Sequence, residues 1–133
     1  MTKSITTAVA NIQTLVAALS GMRSAPAQPP DSAGAFPFGV SYIGAVEVNQ
    51  ASLTQRTHIF TIITEIHVAR KDLPRDVAKL DPYPTAFPDA RWDAPTLSGA
   101  VDTVLGVVGQ LIPSSWGGVD TLCWQFNTRI KIT

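Results

Sequence analysis

Residues 57–69, THIFTIITEIHVA, most narrow what this chain can become. The even positions are His58, Phe60, Ile62, Thr64, Ile66 and Val68, apolar from Phe60 onward except for one threonine. The odd positions, Thr57, Ile59, Thr61, Ile63, Glu65 and His67, mix apolar and polar groups. Side chains of a strand alternate between its two faces, so this stretch reads as a long central strand with one face in a core and the other partly covered.

A second stretch matches it. Leu122, Trp124, Phe126, Ile130 and Ile132 alternate with Cys123, Gln125, Asn127, Arg129 and Lys131, giving a closing strand over 121–132 with one large-apolar and one polar face. The two apolar sets agree in length and character, so both strands are expected in one sheet beneath the N-terminal helix. Removing Trp124 should then cost roughly 3 to 5 kcal/mol.

That helix is expected over 4–20. Ile5, Ala8, Val9, Ile12, Leu15, Val16 and Leu19 recur at helical spacing, Ser4 suits the N-cap, and Gly21 suits the stop. Residues 23–37 carry four of the ten prolines and only one large apolar side chain, Phe36, and read as a loop. A loop of about 15 residues is long for a compact domain, and such loops are usually functional or mobile. Over 38–48, FGVSYIGAVEV alternates imperfectly; Gly39 and Gly44 imply a bend or bulge in one bent strand or two short ones. The polar connection at 49–56 then makes an antiparallel hairpin with the central strand.

Beyond Ala69 a short helical region is expected over 72–90, with Asp72 as cap, Pro74 in the first turn, and Pro82 and Pro84 ending the helix. Residues 65–93 hold eleven of the twenty charges, both signs interleaved, as a solvated helix face does. Pairs such as Asp72 with Arg75, or Asp76 with Lys79, contribute only a few tenths of a kcal/mol each. Residues 95–112 fit helix or strand. Leu97, Val101, Val104, Leu105, Val108, Leu111 and Ile112 follow helical spacing, but Gly99, Gly106 and Gly109 oppose it. The reading adopted is a short helix at 95–104, a strand to Ile112, and a turn from Pro113 to Asp120. The fold class is therefore α+β: one domain with a mixed or antiparallel sheet of about four strands, packed against the N-terminal amphipathic helix and the short helical region.

A chain of 133 residues buries about two-thirds of its unfolded surface, enough for a core without disulfide or metal staples. Ten acidic and ten basic residues balance, and no block of like charge points to a nucleic-acid tail. The single cysteine, Cys123, excludes an internal disulfide and suits a reducing cytosol. The first residues are too polar for the apolar region of a signal peptide, and no run approaches the roughly 20 apolar residues of a membrane span.

Chemistry-bearing motifs are missing: there is no Walker loop, G-x-G-x-x-G, H-E-x-x-H, C-x-x-C or G-x-S-x-G. His58 and His67 lie nine apart on one strand, point to opposite faces, and cannot form a local metal pair. Cys123 has no histidine among its strand neighbours and reads as a small buried hydrophobe. The aspartates at 72, 76, 81, 89 and 93 sit where caps and turns belong, and no two stand out as an acid–base pair. Trp92, Trp116 and Trp124 lack the basic interleaving of a base-stacking platform. No catalytic, cofactor or metal residues are assigned.

HIFTIITEIHVAR, then KDLPRDVAKLDPYPTAFPDA, PTLSGAVDTV and SSWGGVDTLCWQFNTRIKI, resemble the tail terminator (tail completion, minor tail protein U-like) proteins of long-tailed bacteriophages. The order of elements is similar as well. The resemblance implies a structural virion protein of the tail or neck, made in the host cytoplasm. It would form a homo-oligomeric ring, usually a hexamer, that caps the tail tube protein, ends polymerisation, and joins the head–tail connector protein. DNA would meet it only by passage through the ring, and no membrane is involved. A ring needs two different complementary surfaces on each subunit. The candidates are Ile59, Ile63 and His67 on the odd face of the central strand, Pro29 and Pro30 in the loop, and Arg70, Lys71 and Arg75 in the charged segment. Another neck component, an adaptor or stopper, is the alternative; a small enzyme or ligand-binding domain is a further one.

Overall fold

The computed structural model describes residues 3–50 and 52–133; residue 51, within the connection expected over 49–56, and the first two residues of the N-terminal stretch lie outside it. In chain order the elements are α1 (Ile5–Ala17), β1 (Phe38–Gln50), β2 (Arg56–Ala69), α2 (Leu73–Leu80), α3 (Tyr83–Trp92), β3 (Thr103–Trp116) and β4 (Val119–Ile132). The strands make one antiparallel sheet in the order β1-β2-β4-β3, so the two stretches with matching apolar sets are its central pair. The fold is α+β.

The even face of β2 is the core face. Ile62, Ile66 and Val68 pack with Leu122, Phe126 and Ile130 of β4 and with Ala8, Ile12 and Val16 of α1, and all nine are buried. Ser4 caps α1, its hydroxyl accepting from the Thr7 N–H at 3.4 Å. At Gly39 the helix comes so close to β1 that an added Cβ would run into Val16. Gln13 ties the same helix to its surroundings, its amide donating to the carbonyls of Pro26 and Gly39 at 2.9 Å each. β1 is one bent strand, with an irregularity between Ile43 and Ala45 at Gly44.

Pro82 and Pro84 do end the first short helix, but they also begin a second. Pro82 caps α3 and Pro84 stands in its first turn, where a missing N–H is harmless. Leu80, Tyr83 and Phe87 of the two helices enter the core, with Phe87 against Phe126 at 4.8 Å between ring centroids. Asp72 caps α2 by position only. The carboxylate that binds backbone is Asp76, which accepts from the N–H groups of Lys71 at 2.8 Å and Asp72 at 3.1 Å. Asp76 is thus buried in backbone contacts instead of pairing with Lys79, whereas Arg75 and Asp72 form an exposed ion pair at 3.4 Å.

The helix expected at 95–104 is absent. Leu97, Ser98 and Gly99 have φ of 49°, 60° and 86°, three successive left-handed residues that no right-handed helix contains. The resulting turn still buries Leu97, Ala100 and Val101, so those apolar positions belong to the core although their helical spacing does not produce a helix. β3 runs past Ile112 to Trp116, absorbing most of the turn expected at 113–120. Only Gly117 and Gly118 remain as a two-residue hairpin loop, with φ of 59° and 82°, the positive pair that matches the twist of the strands. Trp124 is half-buried at the rim of the core, stacked on Phe126. The large truncation cost expected there belongs to Phe126, which is enclosed.

The two ends of the described chain meet at Asp102. Its carboxylate pairs with Lys3 and accepts from the Thr133 N–H at 2.7 Å, and these contacts hold its pKa near about 2, below the usual 3.8. A depressed carboxylate stabilises the fold above its unfolded pKa and stops doing so as pH falls through the folded value. Asp102→Asn should therefore be slightly less stable than wild type at neutral pH, by the small amount an exposed pair contributes. That difference in urea midpoint should close as pH falls from 3.8 toward about 2.

Candidate assembly surfaces and a buried polar site

The odd face of β2 divides into an open half and a closed half. At the open half Ile59, Thr61 and Ile63 are half-buried, beside Asn127 and Arg129 of β4 and Val108 of β3. At the closed half Glu65 and His67 are buried. The cover is the loop at 23–37 together with Trp116. Trp116 donates from Nε1 to the Pro30 carbonyl at 2.9 Å, and a Cβ on Gly117 would lie 2.7 Å from Ser32 Cα. Phe38 and Trp116 sit 6.0 and 5.7 Å from the His67 ring, centroid to centroid.

Under that cover the ladder brings reactive groups together. His67 stands directly opposite Cys123, and Glu65 lies two residues earlier on the same face. His67 Nε2 meets Glu65 Oε1 at 2.9 Å, and its Nδ1 meets Thr121 Oγ1 at 2.7 Å. The Cys123 thiol donates to Glu65 Oε1 at 3.9 Å, and the Tyr42 hydroxyl donates to Oε2. Burial opposes ionisation of Glu65, yet hydrogen bonds from His67 and Tyr42 outweigh it and hold the carboxyl below its usual range. Burial and the nearby carboxylate push both Tyr42 and Cys123 upward. A thiol raised in this way, with Sγ on a carboxylate, is the opposite of an activated nucleophile. Glu65→Gln leaves donors without acceptors in a buried site and should cost about 2–3 kcal/mol, read from urea unfolding in the presence of a chelator.

The proposed contact residues are not one patch. His67 is enclosed within the subunit, and Pro30 is spent on holding the loop to Trp116. Ile59 and Ile63 remain partly accessible on the open half-face. Pro29 is exposed and lines a small groove between α1 and β1 with Val9 and Ile43. Arg70 and Arg75 are exposed. Lys71 lines a groove of about 700 Å³ with Arg23, Lys79, Phe36 and Tyr83. Among the described residues no carboxylate pairs with those three cations.

The sheet edges, which the sequence did not single out, are also open surfaces. Beyond its first residues, where Ser24 bridges to Phe38, β1 is an edge from Gly44 to Gln50, and β3 is the other edge. On the helix side Ile43, Val46, Val48 and Leu111 are exposed; on the opposite side so is Val108, at 69 %. The signal existed in the sequence as Val46 and Val48, apolar residues next to a polar turn, but their exposure depends on how far the hairpin outruns the helix.

No protein-family model matches this chain, and no curated protein matches it.

Proposed function

We propose that this chain is a self-assembling structural protein whose subunits join head to tail through their sheet edges. Within that class, the reading is a phage tail terminator: a ring, usually of six subunits by the resemblance, that caps the tail tube, ends its growth, and presents a surface to the head–tail connector. The observation that carries it is the pair of unlike open edges. β1 is antiparallel to β2, β2 to β4, and β4 to β3, so β1 and β3 run antiparallel to each other. When copies are laid side by side in one orientation, β3 of one meets β1 of the next as an antiparallel pair, and the ladder continues without inversion. Main-chain groups left unpaired at an edge are a template for such pairing. A heterologous contact of this kind closes into a ring when its rotation permits. Exposed Val46 and Val48 on one edge and Leu111 on the other lie on the same side of the sheet and would be covered by the junction. The open half of the odd face, with Ile59, Thr61, Ile63, Asn127 and Arg129, is the mixture expected of a second contact or a lumen wall.

The test is native mass spectrometry with negative-stain imaging, alone and with added tail tubes or portal-bearing heads. Rings that cap tubes support the terminator reading, and rings that bind only heads favour an adaptor or stopper. A strict monomer at high concentration that leaves tubes uncapped overturns it.

A further inference from the structure

We propose that Glu65, His67 and Cys123 are a metal site for a zinc-class divalent cation, clamping the two central strands together. The donor set is one carboxylate oxygen, one imidazole nitrogen and one sulfur, with all ligand atoms within 4.8 Å of one another. Tetrahedral zinc with bonds of about 2.0–2.3 Å sets its ligands roughly 3.3–3.6 Å apart. Two of the separations, 2.9 Å from His67 Nε2 to Glu65 Oε1 and 3.9 Å from Cys123 Sγ to Oε1, bracket that span. The third pair, His67 with Cys123, lies within 4.8 Å, so closing on the ion asks a shift of up to about 1 Å at the Cys123 side chain.

Two further observations point the same way. First, each polar ligand already has an outer partner on the atom that would not touch metal: Thr121 Oγ1 on His67 Nδ1, and the Tyr42 hydroxyl on Glu65 Oε2. Metal-binding histidines and carboxylates are held in this manner, which fixes ring orientation and tautomer. Second, the charges close. A divalent cation with carboxylate, thiolate and neutral imidazole sums to zero, which suits a site where His67 and Cys123 are fully enclosed and an uncompensated charge is costly. Starting from neutral imidazole, binding breaks the Cys123 S–H bond, forms the metal–sulfur bond and releases one proton to solvent. The imidazole proton moves to Nδ1, where it is donated to Thr121. The fourth position falls to a water.

Because the site is closed, the ion must enter as the chain folds. The full-length protein should be unfolded and refolded with Co²⁺, desalted, and assayed for metal content and absorbance. One Co²⁺ per chain is expected, with a thiolate-to-cobalt charge-transfer band that Zn²⁺ abolishes. Cys123→Ser should fold with the same far-ultraviolet circular dichroism but lose the band, and Thr121→Val should weaken binding by about 10- to 100-fold. A natively folded wild type without the band, or a Cys123→Ser variant with wild-type metal content, overturns the proposal.

Discussion

Phe126→Ala should lower stability by about 3–5 kcal/mol, the usual range for removing an enclosed phenylalanine. Phe126 is 2 % exposed on β4, between the Phe87 ring at 4.8 Å and the Trp124 ring at 5.9 Å. Those neighbours come from α3 and from its own strand, and the strand has partners on both sides. The Trp124 wall cannot collapse into the space without displacing a ladder. Domains of ordinary stability hold only about 5–15 kcal/mol in reserve, so the loss is a large share of the whole. Urea unfolding followed by circular dichroism measures it, and a loss below 1 kcal/mol would show that the core face has been misplaced. Trp124→Ala, at a residue only partly buried at the rim of the core, should cost less.

The second large effect concerns assembly and should leave folding untouched. Val46→Asp with Val48→Asp places two charges on the β1 edge, and Val108→Asp places one on the β3 edge. The three valines are 55 %, 52 % and 69 % exposed, so each variant should unfold within about 0.5 kcal/mol of wild type. Across a subunit junction the same carboxylates would be desolvated without partners, which the contact cannot tolerate. Each variant alone is expected to stay monomeric and to leave tail tubes uncapped. Mixed in equal amounts, the two should form dimers and nothing larger, since each contributes one intact edge of the opposite kind. Native mass spectrometry reads this directly. Rings formed by either variant alone would rule out edge-to-edge joining, while mixtures with no dimers would rule out its head-to-tail sense.

The alternating stretches were legible because period-2 alternation is a local property. β2 and β4 lie where the apolar residues of THIFTIITEIHVA and LCWQFNTRIKI require. The α1 stripe was legible for the same reason at period 3.6. The segment at 95–104 misled because Leu97 and Val101 are core residues at helical spacing, and only the left-handed turn at Leu97, Ser98 and Gly99 shows that the chain reverses there. Its burial comes from tertiary packing, which spacing does not encode.

Cys123 illustrates the same division. Along its own strand no histidine is near, so the thiol looked inert. Pairing the two matching apolar sets antiparallel puts Val68 opposite Leu122 and hence His67 opposite Cys123. That step lay within reach of the sequence; the cover over it did not. The loop at 23–37 was expected to be functional or mobile, but Trp116 holds it by the Pro30 carbonyl and so closes half of the face offered by Ile59, Ile63 and His67.

By itself the sequence determined the class of fold, the two central strands, the core stripe of α1 and the hairpin nature of the first two strands. Each follows from the alternation or spacing of neighbours along the chain. Only the tertiary structure decided which half of the mixed face of 57–69 is open, which edges of the sheet are free, and that a carboxylate, an imidazole and a thiol meet beneath Trp116. Those depend on register and on how far one element outruns another, and both are set by contacts between residues far apart in sequence.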